Sequence, residues 1–296
     1  MQFRKTAVAV AIAGIAAGSP QIASADTVLS GVVEIQLAGS DDETADVDVN
    51  GTPVEAGDIG IQAGDALFGI VTAHTLSFGA EGYASLRVDS DGLSGNNFTS
   101  DNVYVGIRGG FGDFRFGEVP VAAEYGQLAG DLFDQTGDID AGISYTGVFG
   151  PVVLGLNWSP EAVNNADSIG AGIRFNFAGL SFGVGVEERA ENANASFGAS
   201  YGIAGFSISG HFVTDENNDL DREIVAVKLG YAFQGLSFGL TYSEETIDLV
   251  GGGDNTEDLT RFDVGLGLGG GMTVSARFDS VSDGDDEYRV QLAKSF

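Results

Sequence analysis

From about residue 76 onward the chain consists of runs of roughly ten residues in which every second side chain is apolar and those between are small or polar. Leu180, Phe182, Val184 and Val186 alternate with Ser181, Gly183, Gly185 and Glu187. The same split recurs at Phe206, Ile208 and Phe212 against Ser207, Ser209 and His211, and at Met272, Val274, Ala276 and Phe278 against Thr273, Ser275, Arg277 and Asp279. Successive side chains of a strand point to opposite faces, so each run has one oily face and one wet face. After residue 25 no segment approaches the length and continuity of a membrane helix. If such strands enter a bilayer they must close on themselves, because only a closed sheet satisfies every backbone donor and acceptor there.

Composition removes several alternatives. The chain has 296 residues and no cysteine, so it is not a disulfide scaffold. Its formal net charge of -30 repels phosphate backbones and disfavours nucleic-acid binding. Hydrophobic residues at 43% are too many for disorder, and 46 glycines too many for ordinary helices. At the start, Arg4 and Lys5 precede a short apolar stretch over 7–17 and the small-residue site Ala23-Ser24-Ala25, the pattern of a cleaved export signal. The apolar stretch is too short for a spanning anchor and runs straight into Gly18, Ser19 and Pro20. We therefore expect residues 1–25 to be a removed signal peptide and 26–296 the mature domain, with 11 cations against 43 acids.

The connections alternate in length. Tight turns are expected at Phe111-Gly112-Asp113, Phe149-Gly150-Pro151, Ala178-Gly179-Leu180, Ala204-Gly205-Phe206, Gln234-Gly235-Leu236 and Gly269-Gly270-Gly271, with His74 at a further one. Longer polar links fall at 91–100, 160–167, 191–193, 215–221, 249–258 and 282–287. Short turns on one rim and longer acidic loops on the other are the asymmetry of a bacterial outer-membrane barrel. Strands over 27–38, 61–72 and 76–89, pairs about the six turns, and a closing strand over 286–296 give an all-β, transmembrane antiparallel barrel of about 16 strands.

Arg87, Arg108, Arg115, Arg174, Arg189 and Arg277 all fall opposite the apolar stripe. An arginine facing lipid at the midplane costs about 2–4 kcal/mol, which places these six inside the barrel.

The segment Val103-Tyr104-Val105-Gly106-Ile107-Arg108-Gly109-Gly110-Phe111-Gly112-Asp113-Phe114-Arg115-Phe116-Gly117-Glu118, with Val28-Leu29-Ser30-Gly31, Leu76-Ser77-Phe78-Gly79-Ala80 and the terminal Phe296, resembles the Gram-negative general diffusion porins, especially the alphaproteobacterial type. The resemblance implies a sixteen-stranded homotrimer in the outer membrane, with short periplasmic turns and one water-filled pore per subunit that passes small hydrophilic solutes and ions. It also implies that the third loop, here 119–137, folds into the lumen and narrows it. Glu118, Glu124, Asp131 and Asp134 are then candidates for the acidic side of the constriction, and Arg87, Arg108 and Arg115, on consecutive strands beside that loop, for the cationic wall. Opposed charge rows set a transverse field that favours polar solutes. Lys294 departs from the family pattern, which has an apolar residue there, and must snorkel to the interface.

The acid excess predicts weak cation selectivity that falls as salt screens the loops. The clusters Asp41-Asp42-Glu43, Asp215-Glu216 with Asp219 and Asp221, and Asp283-Gly284-Asp285-Asp286-Glu287 have the hard oxygens that Ca2+ takes, but solvated loops carry such runs too, and no metal site is assigned. No cofactor is expected. The rival classes are an outer-membrane barrel phospholipase or protease and a surface adhesin. An enzyme of that kind needs a histidine beside a nucleophile or water, and the chain has only His74 and His211, the latter read as a wet pore residue among Ser207 and Ser209. A non-enzymatic channel is the expectation.

Overall fold

The computed structural model describes residues 26–40, 60–90, 98–129, 139–160, 167–189, 192–216, 220–249, 253–282, 284 and 286–295. Among them are sixteen strands: β1 (Asp26–Ser40), β2 (Gly60–Thr75), β3 (Glu81–Ser90), β4 (Phe98–Gly109), β5 (Gly112–Val119), β6 (Ile139–Phe149), β7 (Val152–Ser159), β8 (Ser168–Phe177), β9 (Leu180–Arg189), β10 (Asn192–Ile203), β11 (Phe206–Glu216), β12 (Leu220–Phe233), β13 (Leu236–Leu249), β14 (Asp254–Gly269), β15 (Met272–Val281) and β16 (Glu287–Ser295). Each pairs antiparallel with its chain neighbours, and β1 pairs with β16 from Val32↔Ser295 to Ser40↔Glu287. The sheet is therefore a closed barrel without a free edge, the condition under which strands span a bilayer.

The burial pattern is that of a water-soluble protein turned inside out. Phe182, Val184, Val186, Phe212, Val225, Leu240, Phe262 and Leu292 are all exposed on the outer surface, while Ser196, Thr241, Ser243 and Glu245 are buried on the inner one. The small apolar core lies inside the barrel, where Val119, Val121, Ala123 and Ile139 cluster at the root of the segment after β5.

Three of the expected tight turns share one backbone solution. Ala178, Ala204 and Gln234 have φ of 48°, 49° and 49°, and each is followed by a glycine with φ of 83°, 88° and 85°. Two successive residues with φ above zero match the turn type whose twist suits a hairpin, and glycine at the second position relieves half of the steric cost. The turns are also stitched to one another, since Gly202, Ala232 and Gly267 donate their N–H groups to the carbonyls of Gly179, Gly205 and Gly235 at 2.9, 2.8 and 2.8 Å.

The structure differs from the sequence reading near the first hairpin. Residues 76–80 are a turn and not the start of a strand, closed by Leu76 N to Ala80 O at 2.7 Å and Gly79 N to Leu76 O at 2.9 Å. A φ of 84° at Gly79 breaks the alternation that Leu76, Phe78 and Ala80 suggested. His74 is correspondingly a strand residue, paired with Gly82. Lys294 reaches the rim as its chemistry requires, and its ammonium donates to the carbonyls of Gly270 and Ser295 at 2.5 and 2.8 Å. Residues 1–25 and the terminal Phe296 lie outside the described residues.

Because Leu240 faces outward and Ser275 inward, Leu240→Arg should cost about 2–4 kcal/mol in reversible unfolding from lipid vesicles, and Ser275→Arg less than about 1 kcal/mol. Equal costs for the two would contradict the facing assigned to the strands.

Candidate functional site

The segment after β5 enters the barrel. It carries a short 3-10 helix, Ala122–Gly126, that lies against the inner faces of β7 to β11. The wall has made room for it by omitting side chains. A methyl group at Gly183, Gly185 or Gly198 would overlap the carbonyl oxygens of Tyr125, Ala122 and Gly126, and at Gly172 it would stand 2.5 Å from Ala122 O. A methyl at Gly155 would collide with the Tyr125 ring. These glycines come from four adjacent strands and form one seat.

Polar side chains of the wall fasten the segment to that seat. Asn157 Oδ1 accepts the N–H of Ala122 at 2.7 Å. Ser196 Oγ donates to the carbonyl of Ala123. Arg174 donates to the carbonyls of Glu124 and Tyr125 at 3.2 Å, with its guanidinium 5.6 Å from the centre of the Tyr125 ring. At the far end His211 Nδ1 accepts the N–H of Ala129 at 3.1 Å. His211 is only 5% exposed, which corrects its reading as a wet pore residue. The loop covers it.

The cations lie mostly on the opposite arc. Arg87, Arg108 and Arg115 occupy the lumenal face of β3 to β5, staggered in height. Arg108 Nε donates to Glu81 Oε1 at 2.6 Å, and Arg115 Nε to Asp113 Oδ2 and the Tyr83 hydroxyl, both at 3.2 Å. Their guanidinium carbons each stand 5.0 Å from a ring centre, Tyr83 for Arg108 and Tyr104 for Arg115. A second basic group, not anticipated from sequence as a wall, comes from Lys228, Arg261, Arg277 and Arg289 on β12 and β14 to β16. Arg277 and Arg289 are direct cross-strand partners, and Arg261 Nε and Arg277 Nε both donate to Asp279, each at 2.7 Å. Barrel closure joins the two groups into one arc through β1 and β2. Its height matches the loop: Gly185 lies six residues beyond Gly179, Lys228 six before Gln234 and Arg277 six beyond Gly271.

Of the acidic candidates, Glu124 sits in the 3-10 helix inside the lumen. Glu118 turns back to the wall, where its Oε2 accepts the N–H of Val103 at 3.2 Å beside the register shift between Gly117 and Val119. Asp131 and Asp134 lie outside the described residues, as do Asp41, Asp42, Glu43, Asp219, Asp283 and Asp285. Asp215 and Asp221 do not converge: Asp215 shares the inner face of β11 with His211, whereas Asp221 is on the outer face of β12, opposite Glu216.

A family model described as Gram-negative porin matches residues 6–287. The chain belongs to the Gram-negative porin family. The barrel fits that membership, and this porin is an outer-membrane channel protein. Among solved structures it is similar to OmpT of Vibrio cholerae in its trimer form, at 14% identity and a TM-score of 0.73, covering 92% of this chain and 99% of that one. It also resembles the anion-selective porin from Comamonas acidovorans, at 16% identity and a TM-score of 0.73 over 92% and 100% of the two chains. OmpF of Salmonella typhi, solved with daunomycin, gives 11% identity and a TM-score of 0.76 over 91% and 97%. A search of curated proteins finds no match.

The seat can be tested by filling it. Gly185→Leu should unseat the loop at an overpacking cost of about 1–3 kcal/mol and change the single-channel conductance. Gly110→Ala, with open space around it, should leave conductance unchanged. Equal conductance in Gly185→Leu and the parent would mean that the loop does not set the aperture.

Proposed function

We propose that this porin is a non-enzymatic general diffusion channel for small hydrophilic solutes and ions, and that it is weakly cation-selective. The observation that carries the reading is the distribution of polarity across the wall: hydroxyl, amide, glycine and charged side chains face the lumen, and the seated loop occupies one side of it. Basic residues on β14 to β16 and β3 to β5 stand across from the loop, so a solute between them meets an oriented field. Polar solutes keep hydrogen-bonding partners throughout such a passage. Apolar ones lose them.

The sign of the selectivity follows from the acid excess, 43 carboxylates against 13 cations in the full sequence, which enriches cations at the loop-bearing mouth. In the lumen itself Arg108, Arg115 and Arg222 are each paired with one carboxylate, and Arg261 and Arg277 share that of Asp279. Pairing of this kind leaves the excess acids to set the balance. The similar Comamonas acidovorans porin is described as anion-selective, and the opposite sign proposed for this chain rests on its own charges.

The enzymatic alternative finds less support. His211 spends its Nδ1 on a backbone amide of the loop and not on a hydroxyl nucleophile. Export through removal of residues 1–25 and assembly as a homotrimer are parts of the proposal. The assembly draws support from the trimer form of the similar OmpT fold.

In planar bilayers under a potassium chloride gradient the reversal potential should take the sign of cation preference, and the preference should shrink as salt rises from about 0.1 M to about 1 M. A reversal potential of the opposite sign would refute the selectivity. Phospholipase or protease activity that co-purifies with the folded barrel would favour the enzyme reading.

A further inference from the structure

On the inner faces of β3, β4 and β5 two guanidinium groups stand over tyrosine rings. The Cζ of Arg108 is 5.0 Å from the centre of the Tyr83 ring, and the Cζ of Arg115 is 5.0 Å from that of Tyr104. The two rings meet edge to face, with centres 6.0 Å apart and planes at 85°. Tyr83 is fixed on several sides. Its ring fills the space above Gly106, where a methyl group would stand 2.3 Å from Tyr83 Cζ, and its hydroxyl donates to Asp113 and accepts from Arg115 Nε. Arg108 is thus held on one face by a buried ring and on one edge by Glu81, whose Oε1 accepts from its Nε at 2.6 Å. Its side chain is nonetheless 54% exposed. The exposed part is the side of the guanidinium turned away from Tyr83, towards the lumen. Arg115 is held in the same manner by Tyr104, Asp113 and the Tyr83 hydroxyl, and 33% of its side chain is exposed.

A guanidinium is planar and delocalised, so its flat faces stack on aromatic rings while its edges take hydrogen bonds. We propose that Arg108 and Arg115, plated on Tyr83 and Tyr104, form a stacking subsite in the lumenal wall for planar aromatic solutes, uncharged heteroaromatic ring systems of the nucleobase kind. The inference names a solute class for the channel and rests on the reading of the chain as an open diffusion pore. Two observations favour neutral rings over anions. Arg108 is paired with Glu81 and Arg115 with Asp113, so the patch carries no formal net charge. The Nε and Nη2 edge of Arg108, the one that would grip a carboxylate at two points, is already on Glu81. Its open face is left to stack. The two platforms are diagonal neighbours, since Arg108 pairs across the strands with Asp113 and Arg115 with Gly106, which sets them roughly 7–8 Å apart at the backbone. They lie on the short-turn side of the loop seat, because Arg108 is two residues before Gly110 whereas Gly185 is six beyond Gly179.

The test uses the full chain in planar bilayers with about 1 M potassium chloride, where long-range fields are screened. The probe is inosine, an uncharged purine nucleoside, and ribose is its counterpart without the ring system. Inosine at about 10 mM, a concentration suited to the weak affinity of exposed stacking, should raise the fluctuation of the open-channel current at least roughly threefold more than ribose does. Arg108→Lys combined with Arg115→Lys keeps both charges and removes both planes. In that variant inosine should act no more strongly than ribose, each current being compared with the same variant's current without solute. Should the double variant fail to fold, Arg108→Lys alone, at the more exposed position, should lower the inosine effect by at least about half. Inosine that acts like ribose on a conducting parent, or that acts undiminished on the lysine variants, would overturn the subsite and leave the channel standing. A parent that passes no ions would overturn the channel reading and the subsite with it.

Discussion

Inside a hydrocarbon layer an unpaired backbone N–H or C=O has no water to turn to, and this single requirement shapes the molecule. It forces the sixteen strands to close, and closure is completed by the ladder between β1 and β16. Once the backbone is satisfied within the wall, side chains are free to obey two solvents at once, oil outside and water inside. Glycine carbonyls on the rim of short turns extend the same logic, because each accepts an N–H from the neighbouring hairpin where the regular ladder runs out.

A closed wall of this size creates a lumen, and the lumen gives the segment after β5 somewhere to go. Five residues of 3-10 helix have too few internal hydrogen bonds to persist alone. Their stability comes from the seat, where bare glycine backbone lets the helix approach to contact distance and Asn157, Ser196 and Arg174 meet its outward donors and acceptors. Cations of β14 to β16 and β3 to β5 line the other arc. Shape and field at the level of the loop thus follow from one local event, the docking of the loop on β7 to β11.

The strand framework was legible because its signal is local. Alternation at 180–187 or 272–279 names a strand and its facing without knowledge of any partner, and a glycine after Ala178, Ala204 or Gln234 names the turn. Local signal also misled, as at 76–80, where alternate apolar residues belong to a turn whose course is set by the positive φ of Gly79. The seat was hidden for the opposite reason. Asn157 and Ala122 are 35 residues apart and His211 and Ala129 are 82 apart, so only the register of the closed barrel brings them together. Gly183 and Gly185 read correctly as inward positions, but nothing in their own strand says that a backbone lies on them. Arg261 and Arg289 went unremarked because they are far in sequence from the loop, and it is closure through β1 that sets them beside the arginines of β3 to β5.

Everything above depends on one inner surface being wet and one outer surface being covered by lipid. The chain contains no cysteine, so single cysteines placed one at a time along β11 report on facing without interference. With the protein in lipid vesicles and a membrane-impermeant thiol reagent in the water, positions 207 and 209 should react rapidly, and 206, 208 and 212 at least about tenfold more slowly, a period of two that tracks the strand. Uniform reactivity along the strand, or protection of 207 and 209, would contradict an aqueous lumen and with it the channel.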